Sequence, residues 1–216
     1  MKQLESMSDF FTARVNGYDE HMLRDVEGCK EGYPLMASLI PADTRRLLDL
    51  GCGTGLELDE IFKLYPDLDV TGVDMTAAML DQLKAKHPDK KLTLICDDYF
   101  EADFGGIFDC AVSFETMHHF TQEKKIALYR RICEALTSDG VYIECDYMAD
   151  TQEQEDYFFA ELARMRAEQG ISEDVFVHYD TPCTIANQIA MLKDAGFAAV
   201  EQVMRIGGTC MLVAKK

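Results

Sequence analysis

Short apolar runs alternate with amphipathic segments along most of the chain from position 46 onward. The first run, Arg46–Leu50, stops at a glycine cluster, and the segment after it repeats apolar residues at helical spacing from Leu58 to Tyr65. Such alternation is typical of a parallel sheet whose two faces are both covered by helices. The pattern therefore predicts an α/β fold with a doubly wound sheet.

Later runs continue this alternation. Ranges 69–73, 92–95, 109–114 and 141–145 are short, apolar and bounded by polar or glycine-containing loops, and they predict four more strands. Helices are predicted in two of the intervals between the strands, and Thr76 is the expected N-cap of the one after the second strand.

Two further helices are indicated by their capping signals. Thr151 followed by Gln154 matches a capping box and predicts a helix up to Gly170, in addition to the regular alternation. Thr181 followed by Pro182 predicts the start of the last helix, because proline is favoured at the first helical position.

The chain ends in two strand-like runs, 199–206 and 209–214, separated by Gly207-Gly208. Paired glycines favour a tight turn, so the runs predict an antiparallel hairpin at the edge of the sheet. Repeats and linkers are not evident, and we expect one domain over 1–216, with an N-terminal helical cap at about 1–40 and a helical lid at about 147–183.

Charge and cysteine content narrow the choice of partners. The formal net charge is −18, and lysine and arginine are not gathered into a stripe, which argues against nucleic acid and anionic membrane as partners. Neither a leader-like apolar run near the N-terminus nor a spanning segment is evident, so a soluble cytoplasmic protein is expected. The eight cysteines lack zinc-type or redox-type spacing and are expected to be buried free thiols.

The most informative motif follows the first predicted strand. Gly51, Gly53 and Gly55 lie at a strand-to-helix turn, at the carboxyl edge of the sheet, where glycine lets a ligand lie against bare backbone. Asp74 ends the second predicted strand, where a carboxylate can accept both hydroxyls of an adenosine ribose. Together they predict a site for a cofactor that carries adenosine.

These residues resemble the class I S-adenosylmethionine-dependent methyltransferase family, whose first motif has the form DxGxGxG and whose second is an acid ending the second strand. Asp49, Gly51, Gly53, Gly55 and Asp74 match it residue by residue. The resemblance implies a Rossmann-like sheet of seven strands, mostly parallel with an antiparallel C-terminal strand. It also implies S-adenosyl-L-methionine as the cofactor and in-line transfer of its methyl group to a small molecule.

The resemblance implies further cofactor contacts. An acid at Asp97 would meet the adenine amino group, but Cys96 replaces the family glycine before it, so Asp97 and Asp98 remain alternatives. Met75 is implied to pack on adenine, and Tyr18 to cover the methionine end. The full set of expected cofactor-binding residues is Asp49, Gly51, Cys52, Gly53, Gly55, Asp74, Met75, Asp97, Asp98, Tyr99, Phe114 and Tyr18.

The methyl acceptor is expected beyond the fourth and fifth strands. His118 and His119 follow the fourth strand and His178 lies in the expected lid; they are the candidate catalytic bases, because an oxygen, nitrogen or acidic carbon nucleophile must lose a proton. Adjacent histidines rarely converge on one ion when helical, so no metal is expected. Aromatic residues in the lid suggest a small, partly hydrophobic acceptor, and the protein is expected to be a monomer or homodimer.

Other functions remain open at this point. A nicotinamide-dependent oxidoreductase also uses a glycine loop and a distal acid, but the third glycine of its GxGxxG fingerprint is replaced here by Leu56. A non-catalytic S-adenosylmethionine-binding regulatory protein would carry the same motifs. A narrower alternative is chemistry on the cofactor itself, as in the synthesis of carboxylated S-adenosylmethionine.

Overall fold

The computed structural model describes residues 3–216, and its centre is one seven-stranded sheet. The strands are β1 (Arg46–Leu50), β2 (Asp69–Asp74), β3 (Lys91–Cys96), β4 (Phe108–Phe114), β5 (Leu136–Tyr147), β6 (Ala199–Ile206) and β7 (Thr209–Lys215). Their order is β3-β2-β1-β4-β5-β7-β6, with β1 to β5 parallel and β7 antiparallel to both of its neighbours. The predicted Rossmann-like sheet with an antiparallel C-terminal hairpin is confirmed.

Helices cover both faces of this sheet. They are α1 (Met7–Arg14), α2 (Tyr18–Asp25), α3 (Cys29–Leu39), α4 (Leu56–Leu64), α5 (Ala77–Lys86), α6 (Gln122–Ala135), α7 (Gln152–Gln169) and α8 (Ile185–Asp194). A single 3-10 turn, Met117–His119, follows β4. Among residues 3–216, no helix is long and apolar enough to cross a membrane.

Two hydrophobic cores result from the alternation of side chains along the strands. Leu47 and Leu48 are adjacent and fully buried, yet they point to opposite faces of β1. Leu47 belongs to the core beneath α3, α4 and α5, and Leu48 to the core beneath α6 and α8. Burial on both faces explains why the central strands are continuous apolar runs.

Capping explains where the helices begin, and one of the predicted caps is wrong. The last helix begins after Thr184, whose hydroxyl accepts from the backbone N–H of Asn187, and not at Thr181. The hydroxyl and N–H of Thr181 instead donate to the carbonyl of His118. Thr76 occupies the N-cap position of α5, but its side chain makes no capping hydrogen bond. The predicted cap at Thr151 is confirmed by a bond from the Gln154 N–H.

Two segments distant in sequence join above the carboxyl edge of the sheet. The backbone N–H of Met7 donates to the carbonyl of Phe176, and that of His178 donates to the carbonyl of Glu5, at 3.0 Å in each case. The ring of Phe10 stacks on the ring of His178, with centroids 3.4 Å apart. We call α1 together with residues 176–180 the cover, because it lies over the site described next.

Candidate active site

The glycine loop between β1 and α4 has a backbone that only glycine adopts easily. Gly51 has a φ of 73°, and a Cβ at this position would lie 2.2 Å from the hydroxyl oxygen of Thr116. Gly53 has a φ of 47°, and the nearest atom to a Cβ placed there is the Gly51 carbonyl oxygen, at 3.8 Å. Gly51 therefore permits a close packing contact, whereas Gly53 presents bare backbone to open space.

Asp74 binds this loop directly. Its Oδ2 accepts from the backbone N–H of Gly53 at 3.1 Å, and its Oδ1 accepts from that of Thr76 at 2.7 Å. Each carboxylate oxygen keeps a further acceptor position, so Asp74 can still accept from a ligand. The predicted convergence of the glycine loop and the second-strand acid is confirmed.

A cavity lies between the loop, Asp74 and the end of β4. Its lining includes Gly51, Gly53, Asp74, Met75 and Tyr99. The free space inside is about 40 Å³, because Met7, Phe11, Tyr18 and Phe176 close it from the side of the cover. A ligand of nucleoside size therefore enters only when these side chains move apart.

The expected cofactor residues fall into two groups. Those in the cavity wall are Gly51, Gly53, Asp74, Met75, Tyr99, Phe114 and Tyr18. Those outside it are Asp49, Cys52, Gly55, Asp97 and Asp98. Cys52 is buried and packs against Gly72, while the exposed Asp97 and Asp98 each accept a backbone N–H of the turn after β3.

Beneath the loop, Asp49 and Glu57 form a buried pair of acids. Both oxygens of Asp49 and Oε1 of Glu57 make no standard hydrogen bond with any residue in the range 3–216. Burial raises the pKa of Glu57 to about 7, and burial together with the Glu57 charge raises the pKa of Asp49 well above its usual range. The pair therefore supports the loop from below and does not reach the cavity.

Tyr18 reaches the cavity because α2 is anchored to the glycine loop. The hydroxyl of Thr54 donates to Asp19 at 2.5 Å, and Lys86 forms an ion pair with the same carboxylate at 3.1 Å. Asp19 follows Tyr18 in the first turn of α2, so the anchor holds the tyrosine ring over the cavity. Burial raises the pKa of Tyr18, so its hydroxyl stays protonated.

A larger cleft of about 770 Å³ adjoins the cavity on the side of β5 and β7. The cavity and the cleft share four residues in their walls, namely Phe11, Tyr18, Glu115 and His119. His118, His178 and Asp180 complete the wall of the cleft nearest to the cavity. We call this cleft the acceptor cleft.

The structure brings all three candidate bases to this wall. The rings of His118 and His119 have centroids 4.0 Å apart, and those of His119 and His178 lie 5.1 Å apart. Adjacent side chains on a helix diverge, and the expectation that no metal is bound considered the first two in that setting. They lie instead in the single 3-10 turn after β4, and both contact Asp180.

His118 is oriented by a buried carboxylate. Its Nδ1 lies 2.5 Å from Oδ1 of Asp146 at the end of β5, and its Nε2 faces Asp180 at 3.7 Å. Burial alone would lower the pKa of His118, but Asp146, Glu115 and Asp180 outweigh it and raise the pKa to about 9. Burial and the neighbouring histidines instead lower the pKa of His119 well below its usual value, so His119 is neutral.

Glu115 is a wall residue on the acceptor side that was not chosen as a candidate base. It follows β4 with a φ of 49°, the single non-glycine residue with a positive φ in the range 3–216, and burial raises its pKa to about 7. Its position after the fourth strand is visible in the sequence, but its strained backbone is not. Phe11 and Phe176 were not among the expected cofactor residues, although Phe176 is one of the lid aromatics that suggested an apolar acceptor, and the folded cover brings both to the cavity.

The site has three parts at the carboxyl edge of the sheet: a glycine loop after the first strand, an acid after the second, and a cavity between them. This arrangement defines an α/β domain that binds a nucleoside-containing cofactor. A family model described as a methyltransferase domain matches residues 47–140. The chain is also 27% identical to the carboxy-S-adenosyl-L-methionine synthase of Nautilia profundicola, over 100% of this chain and 97% of that protein.

Solved structures show the same fold. A crystal structure from Nostoc punctiforme has a TM-score of 0.74 at 20% identity and covers 99% of this chain, which spans 62% of the length of that one. DhpI, whose structure is a complex with SAH, has a TM-score of 0.72 at 15% identity and covers 95% of this chain and 93% of its own. In its match to the family model, in its relatives and in its fold, the chain is similar to class I S-adenosylmethionine-dependent methyltransferases, and its cofactor is S-adenosylmethionine.

Proposed function

We propose that the protein transfers the methyl group of S-adenosylmethionine to a small, partly apolar acceptor that binds in the acceptor cleft. The observation that carries this proposal is the shared wall of Phe11, Tyr18, Glu115 and His119. A ligand in the cavity and a second one in the cleft would meet there, and methyl transfer depends mainly on holding the two reactants in line.

The cavity offers the right groups for the cofactor. The carboxylate of Asp74 accepts from the ribose hydroxyls, the bare backbone at Gly53 allows close approach, and Met75 and Tyr99 present apolar surface to the adenine ring. When bound, S-adenosylmethionine supplies an electrophilic methyl group on a positively charged sulfur. Opening of the cover admits the cofactor, and reclosing keeps water from the shared wall.

The lining of the cleft favours a neutral or positively charged acceptor. Acidic side chains at Asp25, Glu27, Glu115 and Asp180 contribute to it, and Arg14 is the one lysine or arginine among its described residues. Arg14 itself is paired with Glu5 and exposed. Because acidic walls repel an anion, the electrostatics favour an alcohol, phenol or amine over a carboxylate. Phe10, Phe11 and Tyr147 give the cleft its apolar surface.

The acceptor loses a proton during transfer, and His118 is placed to take it. Nδ1 of His118 is hydrogen-bonded to Asp146, so Nε2 remains directed toward the cleft, as in catalytic histidine–aspartate pairs. In the ligand-free protein three carboxylates keep His118 protonated, but a positively charged ligand in the adjoining cavity lowers its pKa. His118 then becomes a proton acceptor at neutral pH, when the acceptor is present.

A second candidate is carboxylation of the cofactor, which is favoured by one specific observation. The relative from Nautilia profundicola that matches this chain along its whole length is named carboxy-S-adenosyl-L-methionine synthase. If a carboxylate replaces one hydrogen of the cofactor's methyl group, a second substrate, a carboxylic acid, must give up carbon dioxide and take the displaced proton in its place. The acidic wall of Glu115 and Asp180 would repel such a group, which is why we place methyl transfer first.

The test separates these two chemistries by product mass. The protein is incubated with S-adenosylmethionine and panels of small alcohols, phenols, amines and carboxylic acids, and the products are identified by mass spectrometry. We expect a methylated alcohol, phenol or amine together with an equal amount of S-adenosylhomocysteine. Conversion of the cofactor to a species heavier by one carbon dioxide, with no methylated acceptor, would replace the first candidate by the second.

A further inference from the structure

We propose that His118, His119 and Asp180 form a binding site for one divalent transition-metal cation at the shared wall of the acceptor cleft. The cation would bind the hydroxyl or amine of the acceptor and lower its pKa. This inference rests on the proposed function for the position of the acceptor. It replaces the metal-free site expected from the sequence and changes the role of His118 from proton acceptor to ligand.

The first support is the geometry of the three ligand atoms, which all lie within 4.8 Å of one another. Oδ1 of Asp180 is 3.7 Å from Nε2 of His118 and 3.6 Å from Nδ1 of His119, too far for a hydrogen bond in either case. Metal–nitrogen and metal–oxygen bonds of about 2.0–2.2 Å in a tetrahedron place ligand atoms roughly 3.3–3.5 Å apart. The two distances to Asp180 therefore need to shorten by at most a few tenths of an ångström, and the two imidazole nitrogens, at most 4.8 Å apart, need to approach until they share the ion.

The second support is a buried nitrogen that lacks a partner. The side chain of His119 is 8% exposed, and its Nδ1 makes no standard hydrogen bond within the part of the chain that the structure describes. Leaving a buried polar atom unpaired destabilises the folded protein. Because this atom points toward Asp180 and Nε2 of His118, a shared cation would satisfy it.

The third support is the orientation of His118 by Asp146. Histidines that bind metals commonly donate their other ring N–H to a carboxylate, which fixes the tautomer. Nδ1 of His118 lies 2.5 Å from Oδ1 of Asp146, a distance that leaves no room for an ion between them. The alternative cluster of Glu115, His118 and Asp146 therefore does not hold the ion. Asp146 orients His118 from behind, and Nε2 of His118 is the atom that faces the metal.

The ligand set indicates the class of metal and its chemistry. Two imidazoles and one carboxylate suit Zn²⁺, Fe²⁺ or Co²⁺ better than Mg²⁺ or Ca²⁺, and three protein ligands leave open positions toward the cleft. An acceptor hydroxyl bound there would lose its proton to water, with the electron pair kept on oxygen. That pair forms the new bond to the methyl carbon as the carbon–sulfur bond breaks with its electrons on sulfur.

Calorimetric titration of the chelator-treated protein with Zn²⁺, and visible absorption with Co²⁺, test the site without any turnover. We expect one ion per chain. His119→Gln and Asp180→Asn should weaken Zn²⁺ binding at least about 10-fold, and Asp146→Asn about 10–100-fold. The matched control is Asp25→Asn, which removes a carboxylate of the same cleft with similar exposure, 42% against 45% for Asp180, and should change the affinity less than about two-fold.

Absence of Zn²⁺ binding, or equal affinity in His119→Gln, Asp180→Asn and the unmodified protein, would overturn the site. Asp180 is half exposed, so its variant is expected to fold even if the His119 variant does not. Methylation of an acceptor by the chelator-treated protein at an unchanged rate would refute the role of the metal and leave the proposed function standing. Binding of the metal by the three ligands without methylation of any acceptor would refute the proposed function alone.

Discussion

The cofactor cavity and the acceptor cleft share a wall but are assembled in different ways. Asp74, Gly51 and Gly53 come from the loops that end β1 and β2, adjacent parallel strands, and the sheet alone brings them together. The cleft instead combines residues from both ends of the chain, such as Phe10, His118 and Thr209. The part of the cavity formed by Asp74, Gly51 and Gly53 therefore depends on local backbone geometry, whereas the closure of the cavity and the whole cleft depend on how distant segments dock.

This difference predicts how substitutions in each part of the site affect cofactor binding and methyl transfer. Changes at the loop or at Asp74 should alter cofactor affinity with little effect on the chemistry of the acceptor. Changes at the histidine wall should do the reverse. The predictions below test this separation, beginning with the largest expected effect.

Asp146→Asn should lower the rate of methyl transfer at saturating cofactor by about 10²–10⁴-fold. The substitution removes the negative charge that orients His118 through Nδ1. Cofactor affinity, measured by calorimetry, should stay the same because Asp146 does not line the cavity. Asp150→Asn, an exposed acid three residues after the end of β5, is the control and should retain the full rate. Equal loss of cofactor affinity and rate would mean that the two regions are not separable.

Glu57→Gln should flatten the pH dependence of stability. In the folded protein the pKa of Glu57 is raised from 4.5 to about 7, so the protonated form is favoured and stability is lost as pH rises through this window. A shift of this size corresponds to at most about 3 kcal/mol, shared with Asp49. Urea unfolding at about pH 5 and about pH 8 should show a smaller difference in the free energy of unfolding for Glu57→Gln than for the unmodified protein.

The control for that experiment is Glu60→Gln on the same helix, where the carboxylate is partly exposed and paired with Lys63. Its pH dependence should match that of the unmodified protein. If Glu57→Gln behaves like this control, the pKa of Glu57 is not raised in the folded protein.

Gly51→Ala should destabilise the protein by about 2 kcal/mol or more and should also weaken cofactor binding. The backbone at position 51 has a positive φ, which is strained for alanine, and the added Cβ would lie 2.2 Å from the Thr116 hydroxyl oxygen. Gly105→Ala is the matched control, since Gly105 has a φ of 78° but no atom within 4 Å of the new Cβ. It should cost only about 1–2 kcal/mol of backbone strain and leave cofactor affinity unchanged. Urea unfolding and calorimetry measure both effects, and identical behaviour of the two variants would contradict the packing role of Gly51.

The sequence allowed the cavity to be predicted better than the cleft for a physical reason. Glycines with positive φ and an acid at a strand end have local signatures, and the order of strands places them together. The docking of α1 on residues 176–178 depends on backbone hydrogen bonds, such as Met7 N–H to Phe176, which leave no such signature. The sequence therefore marked the lid aromatics, Phe176 among them, as surface for the acceptor, but it could not place Phe11 and Phe176 in the wall of the cavity.

Competition between hydrogen-bond partners explains why the last helix does not begin at the predicted residue. Thr181 has the sequence of a helix cap, but its N–H and hydroxyl bind the carbonyl of His118, so capping passes to Thr184. That bond joins the lid segment to the 3-10 turn that carries the adjacent histidines. In a helix His118 and His119 would diverge, whereas the turn brings both to Asp180.

The central claim is that Asp74 and the glycine loop hold the ribose of the cofactor, and calorimetric titration of Asp74→Ala with S-adenosylmethionine tests it most directly. Asp69→Ala, at the exposed opposite end of β2, serves as the control. We expect Asp74→Ala to weaken binding by about 2–4 kcal/mol, because two hydrogen bonds to a charged group are lost, and Asp69→Ala to bind normally. Equal affinity of the Asp74 variant and the unmodified protein would contradict the account.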